Sequence, residues 1–103
     1  PFTVIARLLC EARQEEQSRV VSRQLQQRIA QKLMKQPLLK RRVLFVREDA
    51  APIKRIMGQY RSQVLLKLLE HRDSEELFAF LNELVQEPWP CKVSLEINPG
   101  SLA

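Results

Sequence analysis

Residues 51–67 read APIKRIMGQYRSQVLLK, and this stretch contains Pro52, Gly58, four cations and the only tyrosine of the chain. Proline restricts one backbone dihedral and glycine permits positive ones, so both favour a turn or loop over a regular strand. We therefore predict a loop over residues 50–61 that leads into a strand at Gln63. Cations beside an aromatic side chain are typical of segments that contact phosphates or acidic peptides.

The segments on either side of this loop alternate between strand and helix patterns. The predicted elements, in chain order, are a strand at Thr3–Cys10, a helix at Glu15–Lys35, a strand at Arg42–Arg47, a strand at Gln63–Leu69, a helix beginning at Asp73 and a strand at Cys91–Asn98. Right-handed crossovers between these elements predict an α+β fold, the ferredoxin-like βαββαβ plait. This plait is a four-stranded antiparallel sheet with two helices on one face.

The spacing of apolar residues predicts which side chains form the core. In the first strand, Ile5 and Leu9 lie on the face opposite the core. Asp73 and Glu76 have the spacing of a capping box at the start of the second helix. The residues predicted to be buried are Val4, Ala6, Leu8, Cys10, Val21, Leu25, Ile29, Leu33, Val64, Leu66, Leu68, Leu77, Phe78, Leu81, Leu84, Val85, Val93, Leu95 and Ile97.

The chain has 103 residues and a net charge of +5, which fits one domain with a modest core. From Lys32 to Arg61 there are nine cations against two acids, whereas residues 73–87 contain five acids and no cation. This distribution indicates a partner with phosphates or carboxylates, although a solvated surface explains a charge run equally well. No apolar run reaches the ~18 residues that span a bilayer, so we expect a cytoplasmic protein without a membrane partner.

Patterns typical of catalysis or metal binding are absent from the sequence. The single His71 falls in a predicted turn, no glycine-rich nucleotide cradle occurs, and Cys10 and Cys91 form no CxxC pair. We expect both cysteines to be free thiols. An RNA-recognition motif stacks bases on aromatics of its central strands, and the predicted central strands carry none. A small-molecule sensor would usually carry glycines in its loops, and this chain has only two.

Two hypotheses for the loop remain open on its chemistry alone. In the first, Lys54, Arg55 and Arg61 contact DNA phosphates, and Tyr60 stacks on a base. In the second, the segment is a crossover loop whose two isoleucines fill the edge of the core and whose cations are merely solvated.

The loop resembles a motif in the C-terminal domain of the PriA family, the bacterial replication-restart helicases also called primosomal protein N′. The matching residues are Ala51-Pro52-Ile53, Arg55-Ile56, Gly58 and Tyr60-Arg61-Ser62-Gln63 before a leucine-rich strand, with weaker matches at Pro1-Phe2 and at residues 93–99. The resemblance covers essentially the whole chain. It implies that residues 1–103 are one domain of a longer chain, with a ferredoxin-like plait similar to a ribosomal small-subunit protein.

The resemblance also implies a function. Members of this family are ATP-dependent 3′→5′ DNA helicases that act in DNA replication restart and primosome assembly, and their ATP, magnesium and zinc sites lie upstream of this domain. The domain itself is implied to be non-catalytic and to hold no cofactor. Its implied partners are branched or forked DNA, the C-terminal tail of single-stranded DNA-binding protein and the helicase core of the same chain.

The site residues come from two sources. The chemistry of the loop predicts DNA binding by Lys54, Arg55, Tyr60 and Arg61, whereas position in the motif implies that Gln59 and Gln63 border the pocket for the partner tail, with Arg61 beside it. The alternative hypothesis is an intramolecular packing module with little DNA binding of its own. It is motivated by Ile5 and Leu9, which would form an exposed apolar patch on the sheet face opposite the helices.

Overall fold

A computed structural model describes residues 2–98, apart from the side chain of Ile53, one of the two isoleucines expected at the core edge. The elements are β1 (Thr3–Ala12), α1 (Glu15–Lys35), α2 (Pro37–Lys40), β2 (Val43–Ile56), β3 (Gln59–Leu69), α3 (Ser74–Val85) and β4 (Lys92–Ile97). The strands of the described part form one antiparallel sheet in the order β2-β3-β1-β4. The predicted α+β class with an antiparallel sheet is therefore confirmed. The last residue of the predicted terminal motif, Pro99, lies outside the described residues.

The two central strands, β1 and β3, are paired over ten residues, from Thr3 with Leu69 to Ala12 with Tyr60. Because successive side chains of a strand point to opposite faces, this unbroken register assigns every residue of both strands to a face. The face toward the helices carries the apolar residues that the alternation predicted. The buried core cluster is Val4, Ala6, Leu8, Cys10, Val21, Leu25, Ile29, Leu33, Leu39, Val64, Leu66, Leu68, Leu77, Leu81 and Leu84.

Helix α1 packs on β1, β2 and β3, and both its bounds and its buried stripe are those predicted. Two buried serines at the start of the stripe form hydrogen bonds to the sheet. The Ser18 hydroxyl lies 3.0 Å from that of Ser62 on β3, and Ser22 donates to Glu48 on β2 at 3.0 Å. Both hydroxyls also reach carbonyls of α1, those of Glu15 at 2.8 Å and Arg19 at 3.0 Å, so neither pays the ~1–3 kcal/mol that an unpaired buried hydroxyl costs.

Helix α3 begins one residue after Asp73, but the predicted capping box is wrong. Asp73 has helical dihedrals, with φ −61° and ψ −23°, and its side chain caps no backbone N–H. A capping side chain normally extends from non-helical backbone, which aims its oxygen at the first turn. The Asp73 carboxylate instead lies 3.4 Å from Arg42 Nη2 and 3.2 Å from His71 Nδ1. Glu76 accepts a hydrogen bond from the amide of Gln36 at 2.8 Å.

The end of α3 is held by Trp89, which lies between two prolines. Its indole Nε1 donates to the backbone carbonyl of Leu84 at 2.8 Å, and its ring packs against the core. This carbonyl belongs to the last helical turn, where no partner is available within the helix, and it also accepts from the backbone N–H of Glu87 at 3.3 Å. The predicted buried face of α3 is confirmed except at Phe78 and Val85, which are half-buried.

Two peripheral features differ from the prediction. Helix α2 follows directly on α1, with Pro37 at its first position, where the missing N–H of proline costs nothing. Strand β4 pairs only with β1 and forms an edge of the sheet. Its apolar residues are therefore less buried than predicted: Val93 and Leu95 are half-buried, and Ile97 is 45% exposed.

The predicted loop over residues 50–61 is wrong, because these residues form a β-hairpin. Strand β2 continues to Ile56 and β3 begins at Gln59, with only Met57 and Gly58 between them. Met57 has φ 51° and Gly58 has φ 77°. Two positive values define a type I′ turn, whose twist matches that of the paired strands.

Pro52 is accommodated by an irregularity in β2. Regular pairing stops at Ala50 with Ser62 and resumes at Arg55 with Tyr60. Proline has no N–H for a ladder bond and is tolerated on edge strands and at bulges. Because β2 is the outer strand of the sheet, a proline that indicated a loop is compatible with a strand here.

Met57 is an unfavourable residue for the first position of this turn, and its replacement should show this. We expect Met57→Asn to raise the free energy of unfolding by about 0.5–1 kcal/mol, since asparagine adopts positive φ at lower cost than methionine. Urea unfolding followed by circular dichroism measures the change. Met57→Ile is the control and should lower stability, because a β-branched residue resists positive φ. A loss of stability in Met57→Asn would contradict the turn assignment.

Candidate functional site

Three of the predicted DNA-binding residues lie together at the end of the hairpin. Arg55 and Tyr60 are directly opposite each other in the ladder, and the Arg55 guanidinium carbon lies 5.0 Å from the centre of the Tyr60 ring. A cation over an aromatic face contributes ~0.5–1 kcal/mol at an exposed site, which orders the long arginine side chain. Lys54 precedes this pair and is exposed, as is Arg55.

Lys54 also borders a cleft of about 290 Å³ between the hairpin and the first turns of α1. Arg19 and Arg23 of α1 line the same cleft and are both exposed. Residues four apart on a helix share a face, which is why these two arginines reach the hairpin together. The sequence analysis missed them. Their four-residue spacing outside the apolar stripe could have indicated that they share an exposed face of α1. Nothing in the sequence placed that face beside Lys54.

Carboxylates line this cleft as well, and two of them are held by neighbouring side chains. Glu48 accepts the hydrogen bond of Ser22. Asp49 accepts a hydrogen bond from the Gln63 amide at 3.3 Å and lies 3.5 Å from Arg47 Nε. The hairpin beyond them is free of acids, since residues 50–69 contain no Asp or Glu. Positive charge therefore dominates at the hairpin end, and mixed charge lines the cleft behind it.

Arg61 and Gln63 lie on the opposite face of the sheet, the face that carries no helix. Arg61 is only 7% exposed, with its Nε 3.9 Å from Glu11 Oε2. Gln63 is 3% exposed, accepts from Arg7 Nη1 at 3.5 Å and donates to Asp49. Both side chains are buried by their neighbours in the strands. Their predicted contacts with DNA or with a partner tail stay predictions.

A polar network crosses this helix-free face from one edge of the sheet to the other. Arg7, only 3% exposed, donates to Glu96 on β4 at 2.8 Å and to Gln63 on β3. Leu9 beside it is 4% exposed, and Ile5 is half-buried. The exposed apolar patch expected at Ile5 and Leu9 is therefore wrong: Leu9, which pairs with Gln63 on β3 and Ser94 on β4, is buried.

Gln59 is the member of the predicted tail-binding set that remains accessible. It is half-buried and shares the helix-free face with Arg61, two residues further along β3. It borders a cleft of about 310 Å³ that Arg13 and Lys92 also line. The two predicted sets thus separate: Arg55 and Tyr60 lie on the helix side of the hairpin, and Gln59 lies on the other.

Cys10 and Cys91 are free thiols, as predicted, and they are in contact. Cys10 is buried in β1, and Cys91 is half-buried at the start of β4. The hydrogen bond that Cys10 donates to Cys91 raises the pKa of Cys10, an effect that burial reinforces. The same bond lowers the pKa of Cys91, because it stabilises the thiolate.

No cluster of three or more His, Cys, Asp or Glu side chains that could hold a metal occurs among residues 2–98. His71 Nδ1 accepts a hydrogen bond from the backbone N–H of Asp73 at 3.1 Å, which is a turn contact. Within the same residues no helix has the length and apolar character to cross a membrane.

Comparison of the chain with protein families and with curated proteins found no match.

The thiol pair gives a prediction about reactivity. We expect iodoacetamide to alkylate Cys91 in the folded protein while Cys10 is spared, because the thiolate is the reactive form and Cys10 is buried. Peptide mass spectrometry identifies the modified residue. Cys10→Ala removes the hydrogen-bond donor, so the pKa of Cys91 should rise and its alkylation rate near neutral pH should fall. Equal labelling of both cysteines, or an unchanged rate–pH profile in Cys10→Ala, would contradict the contact.

Proposed function

We propose that this chain is a non-catalytic, DNA-fork-binding C-terminal domain of a PriA-family replication-restart helicase. The observation that carries the proposal is the acid-free end of the β2–β3 hairpin. It presents Arg55 over the ring of Tyr60, and Lys54 on a cleft that Arg19 and Arg23 of α1 also line. The chemistry of the segment predicts DNA contacts for Lys54 and Arg55, and the resemblance implies a domain that helps to bind branched DNA. The domain works within a longer chain whose upstream part holds the ATP, magnesium and zinc sites.

The fold supports this family through its topology. The strand order β2-β3-β1-β4, with α1 and α3 contributing to one core on one face, is the arrangement expected of a ferredoxin-like plait. Helix α2 adds a single turn between α1 and β2 and leaves that order unchanged. We therefore assign the domain to the ferredoxin-like class as part of the proposal.

Binding at the hairpin would read the DNA backbone rather than its sequence. Lysine and arginine side chains neutralise phosphates and release condensed counterions, which makes the affinity steeply salt-dependent. Phosphate contacts of this kind position a protein on DNA and carry no base information. Tyr60, half-buried beneath Arg55, orders the cation through its ring. This is a change from the base stacking that the sequence suggested for Tyr60.

Reversing the charges of the hairpin tests the proposal. We expect Lys54→Glu/Arg55→Glu to weaken binding of the chain to a labelled forked DNA at low salt. The plot of log K against log salt has a negative slope, and its magnitude should decrease by about 2, since each lost phosphate contact contributes about 0.9. Fluorescence anisotropy at several salt concentrations measures both quantities.

A matched control separates position from net charge. Lys35 ends α1, a 21-residue helix and thus about 30 Å long, and Lys40 ends α2, which follows it; both side chains are exposed. Lys35→Glu/Lys40→Glu makes the same change in charge and should retain most of the affinity. Equal losses in the two variants would point to net charge alone. No binding by the unmodified chain even at low salt would favour the packing-module hypothesis.

The cleft beside Gln59 favours a second role, the binding of an acidic protein tail. Arg13 and Lys92 are exposed cations on its rim, and a guanidinium suits a terminal carboxylate. This assignment moves the tail-binding role from the buried Arg61 and Gln63 to the residues around Gln59.

The tail site has its own test. We expect Arg13→Glu to weaken binding of a peptide that ends in acidic residues and an aromatic, such as the tail of single-stranded DNA-binding protein. The loss should be at least about tenfold, since a charge-assisted hydrogen bond contributes ~1.5–3 kcal/mol. Isothermal titration calorimetry measures it, and Lys40→Glu is the control. Unchanged peptide affinity in Arg13→Glu would show that this cleft does not bind the tail.

A further inference from the structure

The tip of the hairpin does not carry the residue that its turn requires. A type I′ turn favours Asn-Gly, Asp-Gly or Gly-Gly, because both central residues have positive φ. Here the first position is Met57, with φ 51°. A methionine held in the left-handed region costs roughly 1–2 kcal/mol relative to ordinary backbone. Such local strain is often retained at functional positions, so the side chain itself needs an explanation.

The Met57 side chain is almost completely exposed to solvent. Met57 is 95% exposed, and the preceding Ile56 is 40% exposed. The pairing of β1 with β3 ends at Ala12 with Tyr60, so the last hairpin pair and the turn extend beyond the end of β1. Single exposed apolar residues are common on protein surfaces. Two adjacent ones at the constrained tip of a projecting hairpin are less easily explained in that way.

The charges around the tip indicate what it contacts. Lys54 and Arg55 lie two to three residues before Met57, and no acid occurs between residues 50 and 69. An apolar tip behind which cations lie is the arrangement that DNA-bending proteins use. Their cations hold the backbone while a Met, Ile, Leu or Phe enters between base pairs. A lipid surface would also accept apolar and basic groups, but a two-residue tip offers little apolar area for it.

We propose that Met57 is a wedge that stacks on the terminal base pair at the branch point of a DNA fork. Insertion into a continuous duplex costs a few kcal/mol of unstacking, whereas a branch point already interrupts the stack. The hairpin tip therefore gives the domain its preference for branched over continuous DNA, while Lys54 and Arg55 supply affinity common to both. This inference rests on the proposed function, and it adds that the domain recognises the branch point of the fork.

Met57→Asn is the decisive variant, because it removes the apolar side chain and favours the same turn. The probe is a forked DNA with 2-aminopurine in the base pair next to the branch, compared with a blunt duplex of the same sequence. The unmodified chain should change the fluorescence of the probe, since the Met57 side chain covers the exposed face of the base pair that holds it. Met57→Asn should abolish that change and reduce the preference for the fork by about tenfold, or about 1.4 kcal/mol. Met57→Leu keeps an apolar tip and should behave like the unmodified chain.

The outcomes separate this proposal from the one on which it rests. If Met57→Asn binds the fork and perturbs the probe as the unmodified chain does, the wedge is overturned and DNA binding through Lys54 and Arg55 stands. An equal loss on fork and duplex also overturns the wedge. The wedge is also overturned if Met57→Asn loses self-association, measured by sedimentation, and leaves the probe signal unchanged. The hairpin tip would then contact a second copy of the chain. If the unmodified chain binds neither DNA, both proposals fail.

Discussion

The ten-residue pairing of β1 with β3 is the constraint on which the rest of the structure depends. Side-chain parity in a strand is strict, so a slip of β1 by one residue against β3 would exchange the two faces of β1. Such a slip would expose Leu8 and place Arg7 against the helices. An unpaired guanidinium in an apolar core costs several kcal/mol, and losing the apolar face costs more. The core and the polar network therefore favour the same register from opposite sides of the sheet.

Much of the fold was predictable because its signals are local and redundant. Helix α1 combines acids in its first turn, lysines in its last turn and a four-residue apolar repeat, and its bounds were predicted correctly. The capping box at Asp73 failed because residue spacing carries no information about whether the cap residue adopts extended or helical dihedrals. The loop predicted over residues 50–61 was wrong for a different reason. Pro52 and Gly58 both indicate loops, and only the position of β2 at the sheet edge makes an interrupted strand possible there.

The same misjudged hairpin explains which site residues could be foreseen. Considered as a loop, residues 50–61 have no faces, so a cation at Arg61 looked equivalent to one at Arg55. Within a strand, Gln59, Arg61 and Gln63 share one face, and Tyr60 and Ser62 share the other. The position of Arg19 and Arg23 beside the hairpin could not be predicted from the sequence. It depends on tertiary packing that brings α1 to a segment some thirty residues further along the chain.

The irregular course of β2 has a consequence for the behaviour of the protein in concentrated solution. An outer strand offers a row of backbone donors and acceptors on which another chain can add a strand, which is a common route to aggregation. In β2 that row is interrupted between Ala50 and Arg55 and lacks a donor at Pro52. The opposite edge, β4, is only six residues long. Neither border of the sheet is therefore a long regular template, which favours a protein that stays dispersed when its concentration is high.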